Sequence, residues 1–333
     1  MRVFITGAEG FIGSHLVEYL VKKKQYKVSA LVQYNSFEKT GWLEHLDDKI
    51  KKKTKIHFGD IRDQIQLDKL LINQDAVIHL AALIAIPFSY HAPKSYIETN
   101  IIGTYNILEA AKQNKLKKIL LTSTSEIYGK AKKFPIREED AVDPRSPYSA
   151  TKISADQIAL SYFYAYNLPI TIIRPFNTFG PRQSMRAIIP TIINQIIDQK
   201  KTIKLGNLNT KRNFNFVEDI ADGYEKALKS KKKIAGEIIN LGSKFELKMR
   251  DLAEIMLKLE KTKIKIVSES ARVRPDKSEI LKLQASNYKA KKLLGWAPKV
   301  NNLRKFKIEI HKTIKWFKKN RKHYKKQSQN YSI

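Results

Sequence analysis

The residues best suited to chemistry lie between Leu120 and Lys152. The run LLTSTSEIYG holds Ser123, Thr124, Ser125 and one carboxylate, Glu126. A loop then ends in RSPYSATK, which sets Tyr148 and Lys152 four residues apart. If Tyr148 opens a helix, Lys152 stands one turn further along the same face. An ammonium there favours the phenolate and makes Tyr148 a usable base near neutral pH. Tyr148 and Lys152, with the hydroxyls and the one carboxylate of residues 123–126, are the groups to which a substrate and a cofactor would be brought.

The elements that must position this set alternate along the chain. Residues 2–6 are a β-branched run, followed by Gly7, Gly10 and Gly13 in GAEGFIG and then an amphipathic helix through Ser14–Lys23. Strand, glycine turn and helix together form a seat for a pyrophosphate at a helix N-terminus. The spacing is GxxGxxG, which fits the GxGxxG fingerprint only loosely. Further strands are expected at Lys27–Val32, Lys55–Phe58, Ala76–Leu80, Lys118–Thr122 and Ile170–Ile173, with helices at Pro93–Gln113 and Tyr148–Tyr166. This is the rhythm of a doubly wound parallel α/β sheet, whose ligands bind beyond the strands' carboxyl ends.

A dinucleotide would touch the glycine turn (Gly7, Gly10, Phe11, Ile12, Gly13). It would also meet Tyr34, Asn35 and Ser36 after the second strand, Asp60 and Ile61 after the third, and Leu80, Ala81 and Ala82 after the fourth. Asn100, Ser123, Tyr148 and Lys152 complete the expected cofactor contacts. The end of the second strand, Gln33-Tyr34-Asn35-Ser36, carries no acid for a ribose 2′-hydroxyl. Neutral polar groups tolerate a 2′-phosphate, so NADP is expected, with NAD as the alternative.

Beyond Pro175 the rhythm breaks into shorter pieces. Residues 1–175 are expected to form the dinucleotide domain. Residues 176–320 form a smaller interleaved substrate lobe, with Arg212–Leu241 partly returning to the first domain. In the last helix Leu303, Phe306, Ile310, Ile314 and Phe317 fall on one face, and a basic tail covers 321–333.

The net charge of +31 points to an anionic partner. The lysines are scattered over faces and loops, though, and no RNA-binding module is recognisable. There are no cysteines, which excludes disulfides and thiolate metal sites and fits a reducing, cytoplasmic location. No metal-ligand spacing is evident, and no apolar run approaches a membrane span of about 18 residues.

Taken together, GxxGxxG, Tyr148-xxx-Lys152, Arg174-Pro175 and the late Arg274-Pro275-Asp276 resemble the extended short-chain dehydrogenase/reductase family. The resemblance implies a Rossmann-like fold, bound NAD(P) and a nucleoside-diphosphate sugar. Thr124-Ser125-Glu126 is similar to the triplet of sugar-nucleotide 4,6-dehydratases. Decarboxylases that make UDP-xylose share such a run, and 4-epimerases usually carry small residues there. Tyr34–Phe37, Gly41–Leu43 and Pro175–Ser184 resemble the subgroup acting on UDP- or GDP-N-acetylglucosamine, which leads to sugars such as legionaminic acid.

The resemblance implies that Tyr148 and Lys152 oxidise carbon 4, Thr124 aligns the sugar, and Glu126 takes the carbon-5 proton. Ser125 stands where other dehydratases carry an acid. Arg212 and Arg274 are expected on the diphosphate, with Asn177, Arg182 and Arg186 at the mouth. A homodimer through a four-helix bundle of Pro93–Gln113 and Tyr148–Tyr166 is implied, with Tyr105, Leu108, Leu160 and Phe163 as candidate contacts. Competing readings are a 4-epimerase, a UDP-glucuronate decarboxylase, and a non-enzymatic protein that binds nucleic acid or anionic surfaces.

Overall fold

A computed structural model describes residues 1–324; Lys325 and Lys326 of the expected basic tail lie outside the described residues. Strand β1 (Arg2–Thr6) is buried along most of its length, as a short apolar run at a sheet centre must be. It pairs in parallel with β2 (Lys27–Gln33) on one side and β4 (Ala76–His79) on the other. Beyond β2 lies β3 (Thr54–Gly59), and beyond β4 lie β5 (Lys118–Thr122) and β6 (Ile170–Pro175). The segment Ile238–Leu241 pairs in parallel with β6 and closes that edge, giving a seven-stranded sheet. The chain leaves β1 in one direction and returns on its other side at β4. The crevice at their carboxyl ends is therefore the switch point where such sheets bind ligands.

Both faces are covered. On one, helix α1 (Phe11–Lys22) and helix Val217–Lys229 bury Leu16, Leu20, Tyr224 and Leu228 with Trp296. On the other, helices Gly103–Gln113 and Pro147–Tyr166 bury Ile107, Leu108 and Ala159 against Phe4, Val77 and Leu121. Leu108 therefore faces the sheet and is not available to a dimer. Phe163 is also engaged within the chain: a Cβ on Gly236 (φ +81°) would sit 2.3 Å from its ring.

The expected single helix Pro93–Gln113 is in fact three helical pieces. Pro93–Tyr96 runs into a widened π turn, Ile97–Ile102, before Gly103–Gln113. Such widened turns cluster at functional sites. Here the turn carries Asn100, whose side chain ties the 83 loop to the Pro147–Tyr166 helix. A helix at Gln64–Leu70 was not anticipated, although Asp63 caps it by accepting from the Gln66 N–H at 3.1 Å. Short helices at Asp48–Lys51 and Ile86–His91 and a tight turn at Gly41–His45 were also missed.

The remaining pieces make a second core from Ile189, Ile192, Leu252, Met256, Phe306 and Ile310. Strand Lys211–Asn213 lies between Glu246–Lys248 and Lys282–Leu283, and Thr202–Leu205 pairs with Lys265–Ser268. In the last helix, Leu303–Lys319, four of the five expected core residues are buried, but Leu303 is 40% exposed because it occupies the first turn.

Trp296 belongs to the first core, on the α1 face of the sheet. It is fully buried and its indole N–H donates to the Asp219 carbonyl at 2.8 Å. Trp296→Ala leaves a large void, a loss of about 3–5 kcal/mol. Thermal unfolding should show a clearly lower midpoint for the variant; an unchanged midpoint would contradict this account of the core.

Candidate active site

The seat for a dinucleotide follows from how closely the backbone packs. Gly7 has φ +64°, and a Cβ there would lie 2.7 Å from the Ala81 nitrogen. A Cβ on Gly13 would lie 2.1 Å from the Gly7 carbonyl oxygen. Gly10 is the N-cap of α1, and no side chain caps the helix, so its first N–H groups are open to a phosphate. These features fit a pyrophosphate on α1 beside Ala81, with Phe11 and Ile12 following in the first turn.

A buried chain of hydrogen bonds fixes the end of β4, and sequence reasoning passed over it. The Leu80 and Ala81 N–H groups donate to the Thr6 hydroxyl at 3.2 and 3.1 Å. The Thr6 hydroxyl lies 2.7 Å from His79 Nδ1, and His79 Nε2 lies 3.2 Å from the Thr104 hydroxyl. Thr104 itself donates to the Asn100 carbonyl at 2.7 Å, so it must accept from His79. His79 is then neutral and protonated on Nε2, which agrees with burial pushing its pKa down to about 3. Ala82 continues the same segment.

The Asn100 side chain is fully engaged with protein. Its oxygen accepts from the Leu83 N–H at 2.9 Å, and its amide donates to the Leu83 carbonyl and the Thr151 hydroxyl, both at 3.0 Å. It fixes the loop and the tyrosine helix. Asn35 likewise holds its own loop through the Gln33 and Lys39 backbone. Tyr34 is 70% exposed and Ser36 is exposed beside it. The Asp60 carboxylate pairs with Arg62 at 2.6 Å, and Ile61 is buried under Gly103.

The catalytic candidates gather beyond β5. Thr124 caps a single helical turn, Ser125–Tyr128, by accepting from the Glu126 N–H at 3.2 Å. Tyr148 starts the Pro147–Tyr166 helix, which is capped by Ser146 and Ser149. Burial pushes the Tyr148 phenol well above its ordinary range; the Thr124 hydroxyl pulls it back, and the Glu126 charge pushes it up. Lys152 is buried, and its ammonium donates to the Thr122 carbonyl at 2.6 Å. Burial lowers the Lys152 pKa to about 8, against the pull of Asp156.

Asp156 is the next residue on that face, at i+8 from Tyr148, a spacing that sequence reasoning left unused. Its Oδ2 accepts from Ser123 at 2.8 Å and pairs with Arg174 at 3.0 Å, while its Oδ1 has no partner. Arg174 also donates to the Tyr128 hydroxyl at 2.8 Å, and Tyr128 donates to Asn240 at 2.8 Å.

The expected phosphate arginines divide into two groups. Arg274 forms an ion pair with Glu126 at 3.0 Å, and buried Arg212 adds its charge to the same carboxylate. Burial alone would raise Glu126, but the two guanidiniums outweigh it and hold the acid below its ordinary range. Arg182, by contrast, has a left-handed backbone (φ +68°) and an acidic partner of its own. Its guanidinium is paired with Glu18 on α1 and lies 3.4 Å from His15. Arg186 is exposed and lends its charge to Tyr96, whose ring meets Tyr148 edge-on at 6.3 Å. Asn177 accepts from the Asn215 N–H through its carbonyl at 2.8 Å, and its side chain is half-buried.

One further acid was missed. Glu9, inside the glycine turn, reaches the last residue of β2 and accepts from the Gln33 N–H at 3.0 Å. The expectation of NADP rested on the lack of an acid at that strand end, and this contact removes its basis.

Among the described residues no cluster of three or more metal-ligating acids or histidines occurs, and no helix is long and apolar enough to cross a membrane.

Comparison with known proteins agrees with this geometry. A dTDP-D-glucose 4,6-dehydratase of Dictyostelium discoideum is 32% identical over 272 residues, which span 78% of this chain and 62% of that protein. The UDP-glucuronic acid 4-epimerase of Bacillus cereus, solved with UDP-glucuronic acid and NAD, superposes with a TM-score of 0.87 at 30% identity. That match covers 96% of this chain and all of the other. A dTDP-glucose 4,6-dehydratase of Streptomyces venezuelae, solved with NAD bound, gives 0.84 at 28% identity over 97% of this chain and 98% of its own. The GDP-mannose 4,6 dehydratase family matches residues 4–306. With its glycine turn, its Tyr148/Lys152 helix and its parallel sheet, the chain belongs to that family, within the extended short-chain dehydrogenase/reductases that act on nucleotide sugars as 4,6-dehydratases or 4-epimerases.

Proposed function

We propose that this protein is an NAD-dependent nucleotide-sugar 4,6-dehydratase acting on UDP- or GDP-N-acetylglucosamine. The observation that carries this reading is one ionised carboxylate, Glu126, held beside the hydroxyls of Thr124 and Tyr148. A 4-epimerase has to move hydride and proton only at carbon 4. An elimination must also strip carbon 5 and expel the hydroxyl of carbon 6, which needs a base and an acid at the ring. The sugar assignment is supported by the segments 34–43 and 175–184.

A bound nicotinamide supplies reversible storage for one hydride. The chain's own groups do the rest. Thr124 holds the carbon-4 oxygen and Tyr148 takes its proton. Lys152, titrating near 8, is still charged at neutral pH and supplies the positive field one helical turn away. Glu126 then takes the carbon-5 proton and returns it to the departing carbon-6 hydroxyl, which leaves as water. Ser125, whose hydroxyl is a poor acid, remains as a buried neighbour. The proton that Tyr148 took from the carbon-4 hydroxyl would be the one restored to the sugar at carbon 5, and with the stored hydride returned to carbon 6 the product would be a 4-keto-6-deoxy sugar.

Arg212 and Arg274 hold the diphosphate in this reading, with Asn177 and Arg186 outside them. Residues 1–175 carry the dinucleotide and most of 176–320 the sugar nucleotide. Two chains pair through the outer sides of the 93–113 and 147–166 helices, where Ile97, Ile102, Tyr105 and Tyr164 leave apolar surface exposed.

A 4-epimerase is the second reading, because an epimerase resembles this fold as closely as a dehydratase does.

Mass spectrometry of the product separates these outcomes. Incubation with UDP- or GDP-N-acetylglucosamine should give a product lighter by one water, with no net cofactor reduction. A product of unchanged mass but inverted carbon 4 signifies epimerisation, and loss of carbon dioxide when UDP-glucuronate is supplied instead signifies a decarboxylase. Glu126→Gln should bind sugar nucleotide normally yet lose water about 10²–10⁴-fold more slowly; an undiminished rate removes Glu126 from the mechanism.

The pH profile offers a separate check. Arg274 holds Glu126 ionised at low pH, so Arg274→Met should let its pKa rise. The acid limb of kcat/KM, which reports the free protein, should then move to higher pH, because the base is lost earlier as pH falls. An acid limb that stays in place would show that the pair does not govern catalysis.

A further inference from the structure

The glycine turn carries a charge that a tight turn has no need of. Glu9 lies between Gly7 and Gly10, yet its side chain leaves the turn and crosses to β2. Its Oε1 accepts from the Gln33 N–H at 3.0 Å, and its Oε2 is buried with no hydrogen-bond partner. The surrounding backbone is fitted to it. The Glu9 carbonyl accepts from the Trp42 N–H at 3.0 Å. Gly41, at φ +57°, passes so near that a Cβ would lie 2.9 Å from the Glu9 Cβ. The carboxylate is thus wedged between the pyrophosphate turn and the loop after β2, and among the described residues no lysine or arginine forms an ion pair with it. Lys39, the nearest basic residue in that loop, is exposed.

In a sheet wound this way, the end of β2 is where the adenosine ribose arrives, and the acid that reads its 2′-hydroxyl usually comes from β2 itself. Residues 33–36 supply none. The geometry points to Glu9 as the residue that replaces it: a selectivity group, donated by the glycine turn, that admits a ribose with a free 2′-hydroxyl and turns away a 2′-phosphate. A phosphate there would bring nearly two negative charges to a partly buried carboxylate with no cation between them. A ribose hydroxyl in the same place can donate to the carboxylate.

This inference rests on the dinucleotide reading of the site, and binding separates the two. Dinucleotide released from the purified protein by denaturation is identified by mass. The protein is then titrated with NADH and NADPH, followed by energy transfer from its tryptophans. NAD should be the species released, and NADH should bind at least about tenfold more tightly than NADPH. Glu9→Gln keeps an acceptor for the Gln33 N–H and removes only the charge. It should narrow that ratio at least about fivefold, chiefly by tightening NADPH. Equal binding of both dinucleotides by the native protein, or a ratio that Glu9→Gln leaves alone, overturns the assignment of Glu9 while the site reading stands. Binding of neither overturns both. Should Glu9→Gln not fold, Glu9→Ser removes the same charge and should narrow the ratio likewise; a ratio it leaves alone overturns the assignment.

Discussion

The site depends on an ion pair that no solvent reaches. Arg174 on β6 and Asp156 on the tyrosine helix are both essentially inaccessible and meet at 3.0 Å. Taking two charges out of water costs several kcal/mol for each ion, and their attraction offsets this only when hydrogen bonds satisfy the remaining atoms. Here Ser123 from the end of β5 adds a second donor to the same carboxylate oxygen that Arg174 holds, and Tyr128 from the next turn accepts from the guanidinium; the other oxygen of Asp156 stays without a partner among the described residues. Tyr128 passes the connection to Asn240 on the edge strand. Four separate segments are thereby fixed to one another directly under the Thr124–Glu126 turn. An apolar replacement could be as stable, but it would not dictate the angle at which the tyrosine helix meets the sheet.

The pair also sets the electrostatics above it. Lys152 sits between Tyr148 and Asp156 on one helix face. Burial drives its proton off, and the Asp156 charge works against that loss, which leaves it titrating near 8. A lysine in an apolar pocket without that carboxylate would be neutral at working pH. A lysine in water would stay charged but would exert little field on its neighbours. The helix thus keeps a cation in a dry place, next to a phenol whose own burial makes ionisation hard. The proposed oxidation needs that combination.

Much of this was legible because buried parallel strands read as short apolar runs and their ends collect small and hydroxyl residues. β1, the glycine turn, the β5 end and Tyr148-xxx-Lys152 could be placed from local pattern alone. What was illegible depended on direction or on distant contact. The widened turn at Ile97–Ile102 is hidden inside an ordinary helical periodicity. Arg182 follows a glycine and a proline in a loop expected at the mouth, but its guanidinium pairs with Glu18. Glu9 looked like a spacer between glycines, because nothing in its neighbourhood announces that it meets Gln33 across the turn. Asp156 is different: i, i+4, i+8 spacing on one helix face was available to be read.

Glu126 ties binding to chemistry within the proposed reaction. A carboxylate held down by two guanidiniums is reliably ionised but weakly basic, which suits waiting better than proton abstraction. Arg212 and Arg274 are also the cations assigned to the diphosphate. A phosphate that draws their charge toward itself loosens their hold on Glu126, and its basicity rises as the sugar arrives. The acid is therefore strongest as a base only when a substrate is present to be deprotonated. Without this coupling, a buried carboxylate basic enough to strip carbon 5 would itself be protonated in the resting protein.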